Sequence, residues 1–462
     1  MSETSITAVV LAAGLSTRMK SEVPKALHSL CGWPLIFYPL EALRKAHAKK
    51  TIVVVGYKKK EVQASILSRF RNITFVEQKK QLGTAHAVKC ALPQLEKRCE
   101  NILIMNGDMP LIHPNTIKKL VAFHIKENAD VSLISAEFEN PPPYGRIIRY
   151  GENRVLRIVE ELEATEEEKK IKEVNAGLYC VKRDFLIKTL TKIGNQNKKG
   201  EFYLPDLVSY TDRATVVKLE SETEILGIND RAELDWARFL IQGHINTYHM
   251  LSGVTLINAQ NIYIDQDVQI APDVTIYPNS HLKGKTRISK NSIIESHCLI
   301  SDSIIHENCH IKQGSIIEES IVESAVTIGP MARLRPLSHV KKGARVGNFV
   351  ELKKTTLGEG AKANHLTYLG DATIGAKVNV GCGVITCNYD GTPVKKKTII
   401  EKDAFIGSDC QLVAPVKIGK GAYIGSGSTI TKNVPAGALA VAREKQVIKL
   451  GYSKKILKRK KG

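Results

Sequence analysis

Aliphatic residues recur every six positions through the C-terminal half of the chain. Ile264, Ile270, Ile276, Leu282, Ile288, Ile294 and Ile300 form a first run. The series slips by one residue at Ile305 and continues at Ile311 and Ile317. It slips again at Val322, then passes through Ile328, Leu334, Val340, Val346 and Leu352. After an interruption it returns at Ile400, Ile406, Leu412, Ile418, Ile424 and Ile430. An α-helix repeats at about 3.6 residues and a strand at about 2, so a beat of six fits neither alone. It fits short strands joined at corners, each flank giving one inward aliphatic, three flanks to a coil, stacked as a parallel β-helix.

The N-terminal half has a different pattern. Ile6–Leu11 is a largely apolar run, as expected of a buried parallel strand. Further strands are predicted at Thr51–Gly56 and Asn101–Met105, with helical stretches between them. Strand–helix alternation implies a mostly parallel sheet whose ligands lie at the C-terminal strand edge. From Arg231 to about Met250 the chain carries helix formers and no proline, with Leu234, Ala237, Leu240 and Ile241 on one face. This is either a helix connecting two domains or the last element of the first. Ser252–Gly253 ends it.

Composition narrows the class. A chain of 462 residues with 43% hydrophobic content suffices for two or three domains with full cores. No stretch approaches the roughly 20 apolar residues of a membrane span. The polar start Met1–Thr7 lacks the layout of a secretory signal. Nine scattered cysteines without a CxxC pair indicate neither a disulfide framework nor a zinc site, and point to the reducing cytoplasm. The 67 basic and 47 acidic residues give a net charge of +20. No nucleic-acid-binding motif accompanies that charge, so anionic small molecules explain it better than nucleic acid. The basic run Lys454–Lys461 reads as a solvated end or as a binder of RNA or phosphate.

Candidate chemistry lies where the patterns break. Ala12–Met19 follows the first strand directly, and small residues there let backbone N–H groups approach phosphates. Arg18 and Lys25 add cationic heads, with Pro24 holding the loop extended. Asp108, after the strand ending Met105–Asn106–Gly107, is placed to hold Mg²⁺; a lone Asp there is also an ordinary turn or cap residue. Gln78–His86 is a polar, glycine-containing stretch suited to reading a base. Between Leu352 and Ile400 the chain is dense in His, Tyr, Asn and Asp: Asn364–Asp371, Asn379–Gly383 and Thr386–Gly391. A turn of the Asn–Tyr–Asp–Gly kind accounts for part of this; a second reactive centre is the other reading.

In order and spacing, Leu11–Gly14, Thr17–Met19, Pro24–Lys25, Gln81–Thr84 and Gly107–Asp108 resemble the sugar-phosphate nucleotidylyltransferases. With a hexapeptide β-helix attached, the chain from about Thr7 to Arg443 resembles the bifunctional N-acetylglucosamine-1-phosphate uridylyltransferase/glucosamine-1-phosphate acetyltransferases, the GlmU family. The resemblance implies a Rossmann-like α/β domain over 1–231, a linker helix over 232–252 and a left-handed β-helix over 253–462. It implies UTP held by Leu11, Ala12, Ala13 and Gly14, with Arg18 and Lys25 neutralising its phosphates. Gln78, Gly83 and Thr84 match uracil-reading positions; Asn106 and Gly107 adjoin them. Gly145, Glu160 and Asn175 match N-acetylglucosamine contacts, and Asp108 and Asn229 match the Mg²⁺ ligands. In the second half His365 matches a general base acting on the amine of glucosamine 1-phosphate, a task that an imidazole suits at neutral pH. Arg335, Lys353, Tyr368 and Asn379 match sugar-phosphate contacts. Cys382, Asn388, Tyr389, Ser408, Ser426 and Arg443 match positions beside acetyl-CoA. The implied assembly is a homotrimer, and the implied product is UDP-N-acetylglucosamine for cell-wall polymers. Ser16, Asn106, Ala85 and Cys382 depart from the usual family residues.

Two other readings use fewer of these residues. One is a different nucleotidylyltransferase with a regulatory β-helix, which leaves His365, Asn388, Tyr389 and Arg443 without a task. The other is a basic binding protein, which leaves both motif sets unexplained.

Overall fold

The computed structural model describes residues 6–15 and 17–459, and divides the chain into two compact units, Met1–Ile241 and Gln242–Gly462. The helix Arg231–Leu251 carries the division.

In the first unit a nine-stranded sheet has the central order 214–218, 131–137, 173–182, 101–106, 6–12, 50–55, 73–77, with the hairpin 146–149/155–159 joined to the 173–182 strand. The four strands around Ile6–Ala12 are parallel, as their helical connections require. Strand Glu173–Lys182 runs antiparallel to both neighbours, so the sheet is mixed. Apolar side chains leave both faces of the central strands: Val10, Val53 and Leu103 pack on one side, Val9, Ile52 and Ile104 on the other. This two-sided burial is why Ile6–Ala12 reads as a continuous apolar run rather than an alternation. Because Leu11 is in register with Asn106, the loops after Ala12 and Asn106 leave the sheet side by side.

The second unit is a parallel β-helix. Its three flanks appear in the pairing: Tyr263 lies on His281, Gln269 on Arg287, and Thr275 on Ile293, eighteen residues on each time. The one-residue slips are coils of seventeen, Ile288 pairing with Ile305 and Ile305 with Val322. The shortening falls at corners, so every aliphatic of the series keeps its inward place. Each such Ile except the half-buried Ile270 is buried, and contributes about 1.5–3 kcal/mol relative to exposure. Corners demand a left-handed backbone residue, met by Asn258, Asn279, Asn291, Asn308, Asp403 and several glycines.

The predicted interruption between Leu352 and Ile400 is shorter than the sequence implies. Leu357, Ala363, Leu369, Ile374, Val380 and Thr386 are all buried at inward positions, so the prism continues. Only 388–397 leaves it. Ala363 and Thr386 hide the beat because neither is a large aliphatic. Among the described residues, no helix is long and apolar enough to cross a membrane. The basic run falls partly in helix Tyr452–Arg459, while Lys460 and Lys461 lie outside the described residues. Ser16 also lies outside them.

Candidate active sites

The loops that follow the two central strands open a cleft of about 260 Å³ at the C-terminal strand edge. Leu11, Ala12, Ala13, Gly14 and Lys25 line it, with Gln78, Gly83, Thr84, Asn106, Gly107 and Asp108. Gly83 is required by its backbone: its φ is +106°, and a Cβ there would lie 2.5 Å from the Phe202 carbonyl oxygen. That close approach stitches residues 82–85 to 202–204, since Phe202 N donates to Leu82 O and Leu204 N to Thr84 Oγ1. Gln78 is buried, and its amide donates to Gly83 O at 3.1 Å, fixing the polar rim. Ala85 is buried in helix Thr84–Ala91, where its small side chain packs against the sheet.

A second recess of about 170 Å³ adjoins the first and shares Asn106 and Asp108 with it. Gly145, Glu160, Asn175 and Asn229 line this recess. Asn175 is fixed by donating to Tyr179 Oη at 2.6 Å and accepting from Gly177 N at 3.1 Å. Burial raises the Glu160 carboxyl above the usual carboxylate range, with Lys199 opposing the shift. Asn106 packs on Gly177, where a Cβ would stand 2.5 Å from Asn106 Nδ2.

Asp108 and Asn229 converge. Lys25 Nζ lies 2.5 Å from Asp108 Oδ2 and 3.3 Å from Asn229 Oδ1, and Arg18 donates to the same Asn229 oxygen at 2.8 Å. An ammonium thus marks a point where two oxygen donors meet. Such a pair fits Mg²⁺, which takes one or two protein oxygens and fills its remaining positions with phosphate and water. Among the described residues there is no cluster of three or more His, Cys, Asp or Glu, so the donor set does not resemble a closed structural metal site. Sequence reasoning did not single out Tyr57, Glu201, Tyr144 or Gly227, which also line these recesses. No local motif marks them; they arrive from separate loops.

In the β-helix the register sorts the remaining candidates onto two successive corners. One corner column holds Asn348, His365, Cys382, Ser408 and Ser426, one coil apart each. Asn348 Oδ1 lies 3.0 Å from His365 Nδ1. An amide oxygen only accepts, so Nδ1 carries a proton, and in the neutral ring Nε2 is the nitrogen with the lone pair. Ser426 Oγ accepts from Ser408 N at 3.2 Å, and Arg443 donates to Ser426 O at 2.6 Å. Cys382 is exposed in this column.

The next corner holds Arg335, Lys353, Gly370 and Asn388. Arg335 pairs with Glu351 at 3.0 Å, and Asn388 donates to Asp371 at 2.6 Å. Tyr368 reaches the same corner over Gly370, where a Cβ would stand 2.6 Å from Asn388 Nδ2 and closer still to Tyr368 Oη. Asn379 does not join this cluster: it stands on the preceding flank between Lys362 and Phe405. Tyr389 projects from the 388–397 excursion, with the Lys395 ammonium 3.2 Å over its ring. Asn348 was absent from the sequence-derived candidates, although the coil period points to it, seventeen residues before His365.

Comparison with known proteins agrees with both halves. Residues 8–178 match the MobA-like NTP transferase domain, 259–338 the GMPPB C-terminal domain, and 397–432 six bacterial transferase hexapeptide repeats. The chain is 45% identical over 454 residues to the bifunctional protein GlmU of Pelobacter propionicus, covering 97% of this chain and 98% of the relative. It is 45% identical over 458 residues to the namesake protein of Caldicellulosiruptor saccharolyticus, covering 98% of each. For that of Clostridium botulinum the identity is 42% over 451 residues, covering 96% of this chain and 97% of the relative.

Proposed function

Because the chain belongs to the family of bifunctional GlmU proteins, we propose a division of labour between its two centres. The enzyme makes UDP-N-acetylglucosamine by acetyl transfer to glucosamine 1-phosphate, then uridylyl transfer from UTP. We assign uridylyl transfer to 1–231, a linker helix to 232–252 and acetyl transfer to 253–462.

In the second unit, Arg335 and Lys353 receive the phosphate of glucosamine 1-phosphate, Tyr368 positions the sugar, and Asn388 and Tyr389 lie beside the amine and the acetyl group. Nε2 of His365 takes a proton from the ammonium, freeing the nitrogen lone pair. The amine attacks the thioester carbon of acetyl-CoA; the C–S bond breaks, and the departing CoA thiolate takes the second N–H proton and leaves as the thiol. Ser408, Ser426 and Arg443 hold the carrier along its column. No acyl-enzyme is needed, so Cys382 is a neighbour of the reaction rather than its nucleophile.

In the first unit, backbone groups of Ala12–Gly14 and the cations Arg18 and Lys25 receive the triphosphate. Gln78, Gly83 and Thr84 read the base. Gly145, Glu160 and Asn175 hold N-acetylglucosamine 1-phosphate so that its phosphate oxygen faces the α-phosphorus. A phosphate monoester is already anionic at neutral pH, so positioning and charge neutralisation supply the rate and no general base is required. Asp108 and Asn229 would hold Mg²⁺, which when bound neutralises charge on the triphosphate as pyrophosphate departs.

The observation that carries this reading is the meeting of two recesses at Asn106 and Asp108, one lined by the phosphate loop and one by the sugar residues. The deciding experiment supplies UTP, Mg²⁺, acetyl-CoA and glucosamine 1-phosphate together. The Asp108→Ala variant accumulates N-acetylglucosamine 1-phosphate; the His365→Ala variant acetylates nothing, yet consumes that intermediate when it is supplied. Equal loss of both reactions in either variant refutes the division. A homotrimer is the proposed assembly, supported by exposed apolar residues at one β-helix corner: Met331, Phe349 and Leu366. Nine free cysteines support a cytoplasmic location.

A further inference from the structure

We propose that Lys25 is a placeholder cation, and that the seat formed by Asp108 and Asn229 accepts a divalent metal only when a polyphosphate draws the Lys25 ammonium away. This rests on reading Asp108 and Asn229 as the metal ligands. The geometry is direct: Lys25 Nζ contacts both oxygens, at 2.5 and 3.3 Å, and Arg18 contacts the second at 2.8 Å. Both residues that would hold the metal are thus engaged by the cations that would hold the nucleotide.

A divalent ion and an ammonium cannot share one carboxylate oxygen at these distances without strong repulsion. The ammonium therefore has to leave before the metal settles. Its four-carbon stem makes that movement easy, because Lys is a point charge on rotatable bonds. Lys25 also lines the nucleotide cleft beside Gly14 and Ala13. An arriving triphosphate offers Lys25 and Arg18 a richer set of oxygens than one carboxylate and one amide. Their transfer exposes Asp108 Oδ2 and Asn229 Oδ1 to the metal that accompanies the phosphates. Metal and nucleotide binding are then linked, and each strengthens the other by the same factor. The protein ignores free divalent cations and admits the metal with its substrate.

The test measures Mn²⁺ alone, without nucleotide, by loss of the free-ion electron paramagnetic resonance signal. Wild type is expected to bind weakly. Lys25→Met, which keeps the stem and removes the charge, is expected to bind roughly tenfold more tightly or better. Lys25→Arg keeps the charge and stays weak. The double variant Lys25→Met/Asp108→Ala loses the gain, which places the effect at this seat. Equal affinity in wild type and Lys25→Met overturns the proposal, as does a gain that survives in the double variant. Circular dichroism and tryptophan fluorescence, which reads the first unit, report folding of each variant. Failure of the wild-type enzyme to make UDP-N-acetylglucosamine from UTP, Mg²⁺ and N-acetylglucosamine 1-phosphate would instead remove the underlying site assignment.

Discussion

Gly370 shows how much one missing atom can matter. Its lack of a side chain admits Tyr368 and Asn388 to the same corner, because a Cβ would overlap both. Gly370→Ala is expected to lower acetyl transfer at least about tenfold, since misplacing a positioning group by about an ångström costs more than that. CoA release monitors this, and uridylyl transfer should be unchanged. The Asn348 amide sets the His365 tautomer by accepting from Nδ1. Asn348→Ala leaves the ring free to rotate and to present the wrong nitrogen. Its kcat for acetyl transfer should fall roughly tenfold with little change in KM, as for a positioning residue acting through a general base. His365 was legible as a candidate because it lies in the dense polar stretch Asn364–Asp371 and matches the general base of the family that the chain resembles. Asn348 was not, because an Asn at a corner has an ordinary reason to be there.

A buried polar chain ties helix Pro114–Lys126 to three strands. His124 bonds Ser132 at 2.8 Å and Asn101 at 3.1 Å, and Ser132 bonds Thr215 at 2.7 Å. Burial lowers the His124 pKa to about 4, with Lys182 adding to the shift. The folded state therefore keeps His124 neutral while the unfolded chain protonates it below about 6.5. Stability is fully present above that value and is lost as pH falls through the window from about 6.5 to about 4, on the order of 3 kcal/mol in total. Urea titrations followed by tryptophan fluorescence read this unit alone, because Trp33 and Trp236 both lie within it. His124→Gln should flatten the acid slope in that window. None of this network was visible in the sequence, where Asn101, His124, Ser132 and Thr215 are separate polar residues. The β-helix was the opposite case. Its beat is carried by single inward residues, so it could be read directly until Ala363 and Thr386 replaced large aliphatics. The sheet was legible as mostly parallel, but not which strand is reversed, since strand–helix alternation says nothing of a late strand entering in reverse, as Glu173–Lys182 does.

Each compact unit contains its own candidate centre. The intermediate can therefore leave one protein molecule and enter another. A mixture of the Asp108→Ala and His365→Ala variants should restore UDP-N-acetylglucosamine formation from glucosamine 1-phosphate; persistent failure would mean that the intermediate is not released. The proposed homotrimer is tested at the same scale. Met331, Phe349 and Leu366 are exposed at one corner although their φ values are 54°, 57° and 40°, a backbone region that bulky residues avoid. A partner copy covering them would offset that cost. Sedimentation equilibrium should give three times the chain mass, and Phe349→Asp should lower it while leaving uridylyl transfer intact. The corner column beside these residues has a further consequence. His365, Cys382, Ser408 and Ser426 stand on consecutive rungs, each about 4.8 Å from the next, so the first and last are roughly 14 Å apart. The prism acts as a ruler. Only a donor with a long arm can touch both ends of the scale, which is why a compact one such as acetyl phosphate should be a poor substitute for acetyl-CoA.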